Sequence, residues 1–338
     1  MKILVYGAGA IGGYLGAILT SAGEDVTLVA RGSQYTALAE HGLILEGPKR
    51  GVQAPVKVKV CQPGEEHAPY DLIFVTLKSH QINAAAAHLK TLIAKNGTFV
   101  FPQNGIPWWY FDGIDSPYRG TSLKTLDPVG FLAKTFDPAM IIGGTALKPA
   151  NLIAPGRISL PDAPTDALIL GELNHQVSTR LERIAAITSR AGWPGVISTD
   201  IRRVKWVKLL SNAVWNNLGA ITQSTAREAA EYPGSRVLAV AMAKEVIALA
   251  GAVGVILTED AHVLVDQAAM RASLPTSTLQ DVRAGRSLEV DALTNALIEI
   301  GTLTGVALPA LTTVGACVNL LNQRIIHDRV AIRTIAIA

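Results

Sequence analysis

Lys208, Asn212 and Asn216 recur every fourth residue inside the stretch "VKWVKLLSNAVWNNLGA". Each step of four turns a helix by about 40° beyond one full revolution, so the three side chains fan across about 80° of one face. Val204, Leu209, Ala213, Val214 and Leu218 are the apolar filling of the same helix. An ammonium in line with two amides has a definite chemical use. Hydride addition to a ketone builds negative charge on the oxygen, and a positioned ammonium stabilises that charge and delivers the proton. The amides hold a carboxylate or hydroxyls without adding charge of their own. A solvated helix face would also carry Lys and Asn. The stripe nevertheless lies in an otherwise apolar helix just past a change of pattern along the chain, where clefts form.

A second constellation opens the chain. "KILVYGAGAIGG" sets Gly7-x-Gly9-x-x-Gly12 between a strand-like run and the helix-like "YLGAILTSAG". Glycines there allow a tight turn and close approach of the backbone to a pyrophosphate. The helix start adds unpaired N–H groups and a positive dipole end. Gly7, Ala8, Gly9, Ala10, Ile11 and Gly12 thus form a candidate dinucleotide loop. An NAD site places a carboxylate about 20 residues on, for the ribose 2′-hydroxyl. Here the next strand ends "LVAR", and the Arg31 guanidinium suits a 2′-phosphate through paired charge-assisted hydrogen bonds. NADP(H) is the expected cofactor, although an exposed strand end would also suit an arginine.

Lys78 and Asn104 close two further apolar runs, "VTLK" and "PQNG". The carboxyl ends of parallel strands are where open α/β sheets bind ligands. Lys78 fits a cofactor phosphate and a solvated strand end equally. Asn104, followed by Gly105, is also a turn former, but its place beside the expected nicotinamide favours a functional role.

These residues need a frame. Short Val/Ile/Leu-rich runs ("KILVYG", "DVTLVA", "DLIFVTLK", "TFVFPQNG") alternate with helical stretches such as "QINAAAAHLKTLIAK", the rhythm of βαβ units on a parallel sheet. Further strands are expected at "MIIGGTALKP", "GRISLP", "ALILGEL" and "PGVIST", with a helix over 177–191. From Thr199 long helices take over: 201–218, 234–253, 258–273, 277–303 with a break, and 309–324. "VLAVAMAKEVIALAGAVGV" is apolar nearly all round, as for a helix packed on several sides. The fold class is therefore α/β, a Rossmann-type parallel-sheet domain over 1–198 followed by an all-helical domain over 199–338. Residues 106–130, aperiodic and rich in Gly, Pro and aromatics, read as a long surface excursion.

Bulk properties exclude several partners. Thirty basic against 27 acidic side chains leave a net charge of +3, too small for a nucleic-acid surface. Cys61 and Cys317 stand far apart and outside any CxxC pattern, which fits a reducing, cytoplasmic setting. The seven histidines show no metal-ligand spacing, so no metal is expected. "ILVYGAGAIGGYLGAILT" is uncharged and long enough to suggest a membrane span. Its glycines, and the strand-like "DVTLVAR" that follows, point to buried structure instead. A mean hydropathy of +0.31 suits either a large core or a homodimer through the helical domain.

The glycine loop, "LVAR", "VTLK", "QNG", "RRVKWVKLLSNAVWNNLGAIT" and "TSTLQDVRAGRSLEVDALTNAL" together resemble the ketopantoate reductases (2-dehydropantoate 2-reductases) over nearly the whole chain. The resemblance implies NADPH-dependent reduction of a 2-keto acid, with Lys208 as general acid. It gives Asn104 to both nicotinamide and substrate, and Asn212, Asn216 and Ser277 to the substrate carboxylate and hydroxyl. Glu289 would lie near the cofactor and support the lysine, while Gly7 to Gly12, Arg31 and Lys78 hold the dinucleotide. Read without it, Ser277 and Gln280 make a capping box and Glu289 is a surface carboxylate. Ser277 and Glu289 can face one site only if their helix breaks, with Gly285 the place. Two features depart from the pattern: Ala226 stands where an asparagine is common, and "IPWWYFDG" after "QNG" carries Trp108, Trp109 and Tyr110. The aromatics fit packing between domains or a pocket for a bulkier keto acid. Two rival readings are a β-hydroxyacid dehydrogenase, with Lys and Asn also four apart, and a cofactor-binding sensor without turnover.

Overall fold

The computed structural model describes residues 1–48, 51–162 and 165–334. The chain divides into two units: Met1–Gln103, Asp112–Ile114 and Gly130–Ile201 form the first, and Asn104–Phe111, Asp115–Val129 and Arg202–Ala338 the second.

The strands are β1 (Lys2–Tyr6), β2 (Asp25–Val29), β3 (Ile44–Gly47), β4 (Gly51–Val52), β5 (Lys59–Cys61), β6 (Tyr70–Val75), β7 (Ile93–Phe101), β8 (Ile141–Leu147), β9 (Asn151–Ala154), β10 (Arg157–Ser159), β11 (Ala167–Glu172) and β12 (Gly195–Ile197). Eight of them make one sheet in the order β12-β11-β8-β7-β6-β1-β2-β5, parallel throughout except where β8 meets β11. Ile3, Leu4, Val5, Leu72, Ile73, Phe74 and Val75 are all fully buried, because a parallel sheet covered on both faces needs continuous apolar runs rather than alternation. The chain leaves β1 toward β2 on one side and toward β6 on the other. That reversal is the switch point of an open α/β sheet, and ligands bind beyond the carboxyl ends of its strands.

Among the described residues, the α-helices of this unit are α1 (Ala10–Ser21), α2 (Gly32–His41), α3 (Ser79–Leu92), α4 (Phe131–Thr135) and α5 (Thr179–Arg190). A Cβ on Gly16 of α1 would lie 2.4 Å from Leu28, so glycine there lets helix and sheet touch closely. A second sheet, β4-β3-β10-β9, was not foreseen. Its strands are two to four residues long, too short to carry a readable alternation.

The second unit is helical: α6 (Ile201–Thr222), α7 (Ala226–Glu231), α8 (Pro233–Ala252), α9 (Ala261–Ala269), α10 (Ser277–Arg283), a π turn over Asp291–Asn295, α11 (Ala296–Thr304) and α12 (Pro309–Asp328). Helix α8 packs against α7, α9, α11 and α12, which is why its sequence is apolar nearly all round. Glu245 of α8 accepts the Ala310 and Leu311 N–H groups at 2.8 Å each, a carboxylate at the positive end of α12. The break expected within 277–303 falls at Gly285, whose φ of +64° is a left-handed conformation suited to glycine.

The expected excursion over 106–130 is not at the surface along its first residues. Ile106, Trp109, Tyr110 and Phe111 are all at most 1% exposed. Arg202 Nε donates to the Tyr110 carbonyl (2.8 Å) and Trp206 Nε1 to the Tyr110 hydroxyl (2.6 Å). Turns packed on every side bury apolar residues without any period, so periodicity gave no signal. Among the described residues no helix is long and apolar enough to cross a membrane.

Candidate active site

In the first unit the glycine turn is built by its own sterics. Gly7 has φ +113°, a conformation that L side chains rarely adopt. Its N–H and that of Ala8 donate to the Val29 carbonyl at 3.3 and 3.0 Å, pinning the turn to the end of β2. A Cβ on Gly12 would stand 2.0 Å from the Gly7 carbonyl oxygen and 2.3 Å from Thr76 Oγ1. Thr76 Oγ1 itself donates to Gly7 O at 2.7 Å. Gly9 differs. It is exposed, no side chain caps the start of α1, and a Cβ there would meet nothing within 4 Å. The turn is therefore tight below and open above, over uncapped N–H groups, and that shape fits a pyrophosphate. Gln34 holds the turn from one side: its Nε2 donates to Ala8 O (2.8 Å), and its Oε1 accepts from Gly156 N (2.9 Å).

Arg31 is exposed at the N-cap of α2, two residues beyond the Val29 carbonyl that holds the turn. Lys78 lies at the N-cap of α3, two residues past Thr76, with Gln81 Oε1 accepting its N–H at 3.1 Å. Gly7 to Gly12, Arg31 and Lys78 thus gather at the carboxyl ends of β1, β2 and β6.

The other predicted residues gather in the second unit. Asn216 is 3% exposed and Asn212 half-buried on α6, and Asn216 Nδ2 is a buried donor with no hydrogen-bond partner. Lys208 is also half-buried by surface area. Its ammonium nevertheless lies deep enough that desolvation brings its pKa down from 10.5 to about 8, with the Glu289 carboxylate pulling it back up. The π turn after Glu289 ties the pieces together. Thr294 Oγ1 donates to Asn217 Oδ1 on α6 at 2.9 Å, and Ala292 O accepts the Ile106 N–H at 2.9 Å. Gly105, with φ +78°, comes so close that a Cβ would lie 2.3 Å from Ala292 O. Asn104 is consequently held beside the same turn as Glu289.

Ser277 is exposed as the first residue of α10. It is not the cap expected of it: Thr276 Oγ1 accepts the Leu279 N–H at 3.2 Å, and Gln280 Nε2 reaches the Pro275 carbonyl instead of closing a box. The cap sits one residue earlier because Thr276 keeps the extended backbone that an N-cap needs. Thr276 Oγ1 would be 3.6 Å from a Cβ on Gly219, so the start of α10 adjoins α6 near Asn216. Ala226 is the first residue of α7, behind the Thr225 cap.

Two cations on α6 escaped the sequence reading. Arg202 and Lys205 are each 3% exposed. Lys205 Nζ lies 5.5 Å from the Trp109 ring centroid, and burial, then the Lys208 charge, hold its pKa at about 7. Their signal was a step of three residues, 202-205-208, beside the step of four that drew attention.

The comparisons agree with this arrangement. The family model "Ketopantoate reductase PanE/ApbA" matches residues 3–108, and "Ketopantoate reductase PanE/ApbA C terminal" matches 200–322. A 2-dehydropantoate 2-reductase of Mesorhizobium japonicum is 34% identical over 95% of this chain and 98% of its own. One from Pyrococcus horikoshii is 27% identical over 91% and 93%. The crystal structure of 2-dehydropantoate 2-reductase from Geobacter metallireducens superposes with a TM-score of 0.81 at 28% identity, covering 95% and 99%. With both halves matched in order and a relative above 30% identity along nearly its full length, the chain belongs to the ketopantoate reductase family, NADP-dependent oxidoreductases that act on CH–OH groups.

Proposed function

We propose that the protein reduces a small 2-keto acid, 2-dehydropantoate first, to the 2-hydroxy acid. When bound, NADPH supplies the hydride. Residues 1–198 hold it through Gly7 to Gly12, Arg31 and Lys78, and residues 199–338 carry the acid. Lys208 stabilises the charge growing on the ketone oxygen and delivers its proton. Glu289 keeps that lysine charged against the desolvation that would neutralise it. Asn212, Asn216 and Ser277 take the carboxylate and hydroxyl, and Asn104 orients nicotinamide and substrate from beside the π turn.

One observation carries this reading: a half-buried ammonium, brought to about 8 and opposed by a carboxylate, shares a helix face with an amide whose buried Nδ2 has no partner. An acid whose pKa lies near the working pH is the efficient one. The test is NADPH oxidation, read as loss of the reduced nicotinamide's absorbance, across a panel of 2-keto acids and 3-keto acids. Lys208→Ala should lower the reduction rate by roughly 100-fold or more while NADPH still binds. A variant keeping most of its rate removes Lys208 from the mechanism. Turnover of 3-keto acids alone selects the β-hydroxyacid reading, and NADPH binding with no acid consumed selects the sensor. A cytoplasmic homodimer through the helical unit belongs to the same proposal. Exposed Val237, Leu320 and Ile326 support it, and sedimentation in solution decides it.

A further inference from the structure

We infer that Thr294 and Asn217 are a positioning pair for the reduction: their buried hydrogen bond sets where the segment carrying Glu289 docks along α6, and so where that carboxylate stands relative to Lys208. The inference rests on the proposed reduction and adds two residues that the chemistry itself does not use. Asn217 lies off the polar face of α6. It is about 180° around the helix from Lys208 and about 100° from Asn216. Thr294 is 0% and Asn217 2% exposed. Both ends of the Asn217 amide are engaged. Its Nδ2 donates to the Ala213 carbonyl at 2.8 Å, which turns Oδ1 toward the Thr294 hydroxyl at 2.9 Å.

A buried hydrogen bond adds little net stability over two apolar groups of the same shape. What it adds is a single register, because a slip along α6 would leave a buried hydroxyl or carbonyl unpaired. The backbone shows why a register matters here. Asp291–Asn295 is a π turn, a rare geometry that recurs at functional sites. Helix α12 holds the turn from behind. Asn322 Oδ1 accepts the Leu288 N–H at 2.9 Å, immediately before Glu289, and Asn295 Nδ2 donates to Asn319 Oδ1 at 2.9 Å. A Cβ on Gly315 would stand 2.9 Å from Thr294 Cγ2, so the threonine methyl is packed on α12 while its hydroxyl reaches α6. The Thr294–Asn217 bond thus ties a segment mounted on α12 to the helix that bears Lys208 and Asn216. Ala292 O of the same turn accepts the Ile106 N–H, so Asn104 takes its place from the same docking. Of the charges that act with Lys208, Glu289 rides on this segment and Lys205 sits one turn back on α6 itself. A shifted segment therefore moves the first charge and leaves the second.

The experiment separates the hydrogen bond from the packing. Thr294→Val with Asn217→Leu replaces the pair by apolar groups of the same shape, and Thr294→Ser keeps the hydroxyl but removes the methyl. The double variant should melt about as the unaltered enzyme does. Its single-turnover reduction of 2-dehydropantoate at saturating NADPH should nevertheless be slower by roughly 10- to 100-fold. The falling limb of its pH profile should move to lower pH, as it would with an amide in place of Glu289. Thr294→Ser should do the opposite, melting earlier while keeping the rate and the limb, and it decides the matter should the double variant misfold. A double variant with unaltered rate and limb overturns the inference, as does a Thr294→Ser enzyme slowed as much as the double variant. An unaltered enzyme that consumes no keto acid overturns the reduction and this inference together, whereas a working reductase indifferent to the pair overturns the inference alone.

Discussion

Glu289→Gln offers the sharpest handle on the proposed chemistry, because the Glu289 carboxylate raises the pKa of Lys208 against desolvation. Desolvation lowers that lysine to about 8 and the carboxylate raises it. A general acid must be protonated, so reduction should hold its plateau below pH 8 and fall as pH rises through it. At pH 9 about one-tenth of Lys208 would keep its proton, against nearly all of it for a lysine at its ordinary value near 10.4. Reduction at pH 9 should thus run about tenfold slower than at pH 7. Replacing the carboxylate with an amide removes the attraction, and at partly buried separations such a charge is worth about one pKa unit or more. The falling limb of Glu289→Gln should therefore move to about pH 7 or below. Single-turnover reduction, followed at saturating NADPH and keto acid from pH 6 to 10, reads the chemical step without product release. The oxidative direction should show the mirror limb, rising through the same pH. A rate flat to pH 9.5, or a limb that Glu289→Gln does not move, would refute the assignment of Lys208 as acid with Glu289 as its support.

Two glycines of the first turn should separate folding from cofactor binding. Gly9→Ala puts its Cβ into open space, so the melting temperature should stay within a degree or two while NADPH affinity drops. Gly12→Ala drives a Cβ against Gly7 O and Thr76 Oγ1, so thermal unfolding should come earlier by an equivalent of about 3 kcal/mol. Equal stability of the two variants would contradict the packing described. Arg31→Ala should weaken NADPH by roughly 10- to 100-fold and leave NADH nearly unchanged, measured by fluorescence titration. If both cofactors lose equally, Arg31 does not read the 2′-phosphate.

What could be read from the sequence was local. The glycine turn announces itself because Gly7, Gly9 and Gly12 recur at a short fixed spacing between a strand-like and a helix-like run, and Gly285 stands out as a glycine within an otherwise helical stretch. Apolar runs such as "DLIFVTLK" gave the parallel sheet because burial on both faces leaves no alternation to mislead. Long-range features escaped. Trp109 and Tyr110 fall in a stretch that reads as a surface excursion, yet they are buried and Tyr110 bonds two residues of α6 more than 90 positions away. Lys205 gives no signal at a step of four along α6, because its angular neighbours Asn212 and Asn216 lie seven and eleven residues on. The small sheet pairs β3 with β10, more than 100 residues apart, and strands of three or four residues leave no trace of such a partnership. Thr276 beside Ser277 shows the limit in miniature: both can cap, and only backbone conformation decides which one does.

Gln34 spends both ends of one amide on two different pieces of backbone, the Ala8 carbonyl and the Gly156 N–H. The loop joining β9 to β10 is thereby spliced to the nucleotide turn, although neither belongs to the strand or helix that the other extends. Sequence drift in that remote hairpin is consequently not free: a loop of altered length would tug on the glycine turn through Gln34, and Ile158 packs against Gly13 of α1 beside it. The little sheet is thus a brace under the glycine turn, seated in the same apolar core through Ile158 of β10 and Leu45 of β3.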